Sequence, residues 1–288
     1  LVLSKEDFRV AARGRVWKSI QPALYGFFRS ILHILGQLQD HDLLCFVLSS
    51  LEGYIPFLVP FPGLARAYLK ALLALWGEHS ASSSSSSSGR GRKGGGGGDA
   101  AGGVRLLAYL RIRQMATALP FPFVEGCMKG LYLAFAKRAH APPKTAEGRQ
   151  SLGLMEGCVV ELYRLDTGSA YQNAFLYIRQ LSLLIRKAVM NKSKDSVTSL
   201  RKWQVITCLR LWTGILASAP RDEELRVLIF PLAQVLSGVM RFASTLRYAP
   251  LCFQLCRMRQ RLAAAASLYV PCLSPLLAVL RSPALFKK

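Results

Sequence analysis

The sequence lacks the motifs that carry the chemistry of most enzymes and metal proteins. It contains no GxSxG motif, no phosphate-binding loop that ends in GK[ST] and no HExxH. Its four histidines have no cysteine or acidic partners at metal-ligand spacing. His41 and Cys45 lie one helical turn apart, but such a single pair is typical of structure rather than of ligation. We therefore expect no catalytic site, no cofactor, no bound metal and no small-molecule substrate.

Acidic residues are also scarce. The chain has 16 Asp and Glu against 38 Lys and Arg, which gives a net charge of +22 over 288 residues. Residues 151–288 alone carry 19 basic and 7 acidic side chains, a net +12. This balance excludes a DNA mimic and indicates a nucleic acid, a ribonucleoprotein or an anionic membrane as the partner. At 51% hydrophobic residues, the chain is too apolar to be disordered as a whole.

No CxxC motif and no secretory signal pattern is present. The seven cysteines are scattered, mostly within apolar helical stretches, which predicts reduced, buried thiols in a nuclear or cytosolic protein. The sequence begins with Leu1 rather than Met, and we expect it to be a piece of a longer protein.

Strand-like alternation is absent, and apolar residues recur at helical spacing over segments of 10–20 residues with prolines near their starts. Short connections between such helices favour an all-α fold, an α-solenoid of stacked helical hairpins of the HEAT or armadillo type. We predict helical repeats over 1–76, continued by repeats over 104–288. Between them, 77–103 holds seven consecutive serines and five consecutive glycines, the composition of a disordered insert.

One segment is long enough to cross a membrane. Residues 262–280 form an uncharged run of 19 residues, which is long enough to span a bilayer as a helix. Pro271 and Pro275 interrupt it, which favours two short buried helices instead. A membrane-associated helical protein anchored through 262–280 therefore stays only an alternative.

The helix over 171–190 separates two kinds of side chain. Its predicted apolar face comprises Tyr171, Ala174, Phe175, Ile178, Leu181, Ile185 and Val189. The pairs Gln172/Asn173, Arg179/Gln180 and Arg186/Lys187 step by seven along the opposite face, as a solvated surface or as a ridge for RNA or a partner helix.

Basic residues accumulate where this helix ends and the next, predicted over 197–217, begins. We expect a cluster at one hairpin tip that contacts phosphate, binds an acidic protein or is simply solvated. The candidate RNA-binding or partner-binding residues are Arg179, Arg186, Lys187, Lys192, Lys194, Arg201 and Lys202. The tryptophans that follow, Trp203 and Trp212, lie in a helix that is apolar on several faces. They are expected to be core rather than platforms for bases.

Residues 170–181, AYQNAFLYIRQL, closely resemble the signature of the nucleolar complex protein 2 family. The resemblance continues in order through WQ at 203–204, CL at 208–209, LW at 211–212, PLAQV at 231–235 and RY at 247–248 followed by PL at 250–251. More loosely, it includes FP at 61–62, LK at 69–70 and Trp76.

The resemblance implies a non-enzymatic ribosome-assembly factor of helical-repeat type in the nucleus, acting in nucleolus and nucleoplasm. Such factors form heterodimers with the related nucleolar complex proteins 1 and 3, and they act on large (60S) subunit precursors that contain pre-rRNA and on their export. We expect these partners and no membrane. A general RNA-binding protein is the other alternative.

Overall fold

The computed structural model of the chain describes residues 15–77, 97–119, 121–191, 193–220, 222–243 and 245–281. These residues form α-helices, three short 3₁₀ turns and connections, without a strand among them, so the predicted all-helical class is confirmed. Two compact units are present. The first comprises the residues up to Arg138 together with 145–151, and the second comprises 139–144 together with the residues from Leu152 onward.

Within the residues that the structure describes, five helices lie entirely in the first unit. They are α1 (Arg15–Gln37), α2 (His41–Ser50), α3 (Pro62–Gly77), α4 (Gly97–Ala118) and α5 (Phe123–Arg138). Of the predicted insert at 77–103, residues 78–96 lie outside the described residues. Gly77 ends α3, and 97–103 form the first turns of α4. The predicted boundaries at 76 and 104 stay a prediction.

Buried aromatic rings join α1 to α3. The rings of Phe28 and Tyr68 meet edge to face with their centroids 6.0 Å apart, and both side chains are buried. The Tyr68 hydroxyl donates to the Phe28 carbonyl oxygen at 2.7 Å, so the polar atom of this ring is satisfied inside the core.

The second unit contains most of α6 (Ala146–Leu162) and the helices that follow it. These are α7 (Thr167–Asn191), α8 (Lys194–Leu200), α9 (Trp203–Ser218), α10 (Glu223–Arg226), α11 (Ile229–Phe242), α12 (Ala249–Ala266) and α13 (Leu273–Leu280). Side-chain caps fix two of the starts. The Ser193 hydroxyl accepts from the Ser196 amide at 3.2 Å, and Asp222 accepts from the Glu224 and Leu225 amides.

Trp212 is fully buried in the second unit and is one of the largest buried side chains. The Tyr163 ring meets it edge to face at 5.5 Å, and the Tyr177 ring stacks on it at 5.9 Å. The prediction that this tryptophan is core is confirmed.

Residues 262–280 do not form one continuous helix. After α12 ends at Ala266, Ser267 adopts a left-handed conformation with φ of 53°, and α13 begins only at Leu273. Nothing here supports a membrane anchor at this segment. By length and composition, the stretch Glu223–Phe242, formed by α10 and α11, would suffice to cross a membrane. Of its apolar 18-residue window, 44% is buried within the unit, and core helices of soluble proteins pass the same test, so length and composition alone assign no span.

The cysteines are free thiols, and all but Cys45 are buried, as predicted. Burial raises the pKa of Cys127 to about 12 and that of Cys256 to about 11, the latter also through the neighbouring Cys252 and Cys272. Because the thiolate is the reactive form, both groups are almost entirely protonated, and unreactive, near neutral pH.

We predict that alkylation by iodoacetamide at pH 8 modifies half-buried Cys45 first in the native protein. Cys127 and Cys256 should react more slowly, by about tenfold or more, because both thiols are buried and have a raised pKa. Mass spectrometry of digests over time measures this order. In denaturant the differences should vanish. Early modification of Cys127 in the folded protein would contradict its placement in the core.

Candidate functional site

Helix α7 contains residues 170–181, the signature segment. One side of this helix is buried in the core, and another side is exposed. Ala170, Asn173, Ala174 and Tyr177 are buried, with Tyr177 against Trp212. Asn173 was predicted to lie on the polar face, but the structure buries it, with 5% exposed. Burial is possible because its side-chain amide donates to the Ser169 carbonyl oxygen at 2.9 Å, so this polar group has a partner inside the core.

The predicted apolar face of α7 is correct only in part. Ala174, Ile178 and Leu181 are buried, whereas Phe175 and Val189 are 49% and 50% exposed. The buried side of the helix is rotated toward Tyr177 and Trp212, which leaves Phe175 on the surface. The Phe175 ring does not stand alone there, since it stacks on Tyr171 with centroids 6.2 Å apart.

An apolar groove lies beside this aromatic pair, between α7 and the segment that joins α10 to α11. Its volume is about 440 Å³. The lining consists of Tyr171, Phe175, Ile178, Arg179, Ser182 and Ile185 from α7, facing Val227, Leu228, Pro231, Gln234 and Val235. Two stretches of the family signature, 170–181 and 231–235, therefore meet in one concave surface.

A glycine sets how closely the two helices approach. A Cβ atom on Gly238 would lie 3.0 Å from Cγ2 and 3.2 Å from Cδ1 of Ile185, tighter than ordinary contact. Gly238 thus lets α11 pack directly on α7 at this point. Ile185, which Gly238 contacts, is also one of the residues that line the groove.

The basic residues predicted at the hairpin tip lie at both ends of an additional helix. Where one helix over 197–217 was expected, the structure has α8 and α9, because Ser193 caps α8 and Leu200 is buried at its end. Arg186 and Lys187 precede α8, Lys194 begins it, and Arg201 and Lys202 follow it, while Lys192 lies outside the described residues. Arg179 is separate and lines the groove.

Arg201 differs from its neighbours. Its guanidinium donates from both Nε and Nη2 to the carbonyl oxygen of Phe242, the last residue of α11. It also lies 4.0 Å from the centroid of the Tyr248 ring, a cation–π contact. Arg201 therefore caps the carboxyl end of α11, where carbonyl groups lack helical partners. Arg186, Lys187, Lys194 and Lys202, by contrast, are exposed.

The lining of the groove contains no His, Cys, Asp or Glu side chain. The resolved pKa shifts are increases caused by burial, at cysteines and at Tyr68 and Tyr177. In the part of the chain that the structure describes, no three His, Cys, Asp or Glu side chains are placed to hold a metal ion. The groove instead offers apolar surface with three polar side chains, Arg179, Ser182 and Gln234.

The groove and the Arg201 cap were not predicted from the sequence. Both join segments about 40 to 60 residues apart, such as Arg201 with Phe242. One local signal was available: the pair 247–248, RY, belongs to the signature, and its Tyr248 ring is the one beneath Arg201.

These features define an all-helical, basic protein that presents an apolar groove formed by its own signature segments. The model of the Noc2p family matches residues 122–288, more than half of the chain, and the chain belongs to this family. The groove lies entirely within the matched residues.

Curated relatives agree with this assignment. The chain is 31% identical to nucleolar complex-associated protein 2 of Arabidopsis thaliana over 93% of its own length, and 30% identical to nucleolar complex protein 2 of Drosophila melanogaster over 92%. Protein REBELOTE of Arabidopsis thaliana is 26% identical over 96% of the chain. The chain spans about a third of the length of the first two relatives, 32% in each case, and 43% of the third. The names of the first two relatives support the predicted location in the nucleus, at the nucleolus.

We predict that Arg201→Gln destabilises the protein by about 1–2 kcal/mol, because it removes charge-assisted hydrogen bonds to the end of α11 and the contact with Tyr248. Lys202→Gln, the matched control, removes the same charge from an exposed neighbour and should change stability by about 0.5 kcal/mol or less. Urea unfolding of both variants gives the comparison. Equal stabilities would show that Arg201 is not a cap.

Proposed function

We propose that this chain is part of a non-enzymatic helical scaffold that assembles precursors of the large (60S) ribosomal subunit in the nucleolus and supports their export. Family membership and the names of the relatives support the process. The observation that carries the proposal for this chain is the meeting of two signature segments in an exposed apolar groove, a surface suited to holding another protein.

We infer that the helices stack as hairpins in the manner of HEAT and armadillo solenoids. Within the first unit α3 contacts α4 and α5, and α4 contacts α5. Within the second, α11 contacts α12, which in turn contacts α13. Such contacts between consecutive helices are what stacked hairpins require.

Two kinds of partner follow from the surfaces of the second unit. The groove suits a protein, and the related nucleolar complex proteins 1 and 3 are the proposed heterodimer partners. The exposed cations around α8 suit pre-rRNA of the precursor particle, since each cation can displace a counterion from a phosphate. Arg201 is left out of this RNA-binding set because its guanidinium is engaged by Phe242.

The test is affinity purification of the full-length protein from nuclear extract, in wild type and in a variant that neutralises the cations around α8. The variant changes Arg186, Lys187, Lys192, Lys194 and Lys202 to Gln. We expect lower recovery of large-subunit precursor RNA, and a flatter salt dependence of RNA binding by about one unit of slope for each cation–phosphate pair removed. Recovery of nucleolar complex proteins should be unchanged.

A control variant with the same loss of charge shows whether position matters. It changes five exposed cations elsewhere to Gln: Lys18, Arg29, Arg66, Lys70 and Arg257. If both variants lose RNA equally, binding depends on net charge alone, as in a general RNA-binding protein. If wild type recovers neither precursor RNA nor nucleolar complex proteins, the proposed function is wrong.

A further inference from the structure

We propose that the groove between α7 and α11 holds an amphipathic helix of a partner protein, a helix whose apolar stripe is flanked by acidic residues. The proposal deepens the proposed function, and rests on it, because it assigns partner binding to one surface and states the chemistry of the partner. The exposure, backbone geometry and charge of the groove each support it.

Part of the apolar lining is exposed to solvent, which favours the binding of another molecule there. Among the lining residues, Phe175 is 49% exposed and Val227 is 66% exposed, whereas Ile178, Leu228 and Val235 are buried. Single apolar side chains on a surface are ordinary, but a contiguous set that lines a concavity is typical of a binding site. The stacked Tyr171 and Phe175 rings supply the large, stiff contact area that often dominates binding energy.

The backbone around the groove favours a helix as the occupant. Both walls are helical, and the described residues contain no strand whose edge could pair with an extended peptide. An extended segment would leave its amide and carbonyl groups without partners against this apolar lining. A helix satisfies its own backbone and presents side chains at i, i+3, i+4 and i+7, as known helix-in-groove complexes do.

Charge selects acidic residues on that helix. Arg179 is the one charged side chain among the lining residues, and it forms no ion pair with any residue that the structure describes. An acidic residue of the occupant would pair with Arg179, an interaction that adds specificity.

RNA fits this groove less well than a helix does. Phosphate binding needs several cations along the path of the backbone, whereas the lining contributes only Arg179. The exposed cations around α8 are the surface that meets this requirement.

A photo-crosslinking residue, benzoylphenylalanine, placed at position 175 of the full-length protein tests the occupant directly. The matched control carries it at position 253, a phenylalanine on α12 with nearly the same exposure, 47% against 49%. After irradiation in nuclear extract, we expect position 175, and not position 253, to link to a protein segment with an amphipathic helical pattern that contains Asp or Glu. Links to RNA, to a second copy of this chain, or equally from both positions would overturn the proposal.

A synthetic peptide of the linked segment then measures affinity for the purified full-length protein. Phe175→Ser and Arg179→Glu should each weaken binding about tenfold or more, whereas the controls Phe253→Ser and Arg257→Glu should not. Changing the acidic residue of the peptide to Lys should restore binding to Arg179→Glu. Unchanged affinity in the groove variants would overturn the proposal, provided that their melting temperatures match wild type.

The two proposals fail in different ways. Groove variants that still recover precursor RNA and nucleolar complex proteins overturn the helix in the groove and leave the proposed function intact. A wild-type protein that recovers no precursor RNA overturns the proposed function, while the crosslink and the peptide affinity still decide whether the groove binds an acidic helix.

Discussion

The burial of Trp212 between Tyr163 and Tyr177 is the interaction on which the second unit depends. Large aromatic side chains bury more apolar area than any others, so the helix that supplies Tyr177 must turn that side inward. Once α7 is fixed in this rotation, its neighbouring residues Tyr171 and Phe175 emerge on the surface. The groove is thus a consequence of core packing: the same helix is held by one side and exposes another.

The opposite wall of the groove, formed in part by α11, is held in place by two contacts. Helix α11 is fixed against α7 through the contact of Gly238 with Ile185, and its carboxyl end is capped by Arg201 from the α8–α9 connection. A basic residue near the proposed RNA surface therefore stabilises the helix that forms one wall of the groove. The two surfaces share structural support although they differ in chemistry.

The sequence predicts the parts of this fold that local pattern determines. Helical periodicity, proline placement and the apolar surroundings of Trp212 were sufficient for the helical class and for the core position of that ring. Features that depend on distant segments were not accessible: the break between α8 and α9 reflects the burial of Leu200 and the bond from Arg201 to Phe242, 41 residues away. Asn173 was misplaced because its bond to Ser169 makes a polar residue compatible with the core.

Gly238 contacts the groove's wall without lining the groove. The spacing of α7 and α11 at this point is therefore controlled by a residue outside the lining, while the lining residues determine which side chains the groove presents. The width of the groove and the chemistry of its lining thus depend on different residues. A larger side chain at position 238 would therefore push α7 and α11 apart, while the side chains that line the groove stay the same.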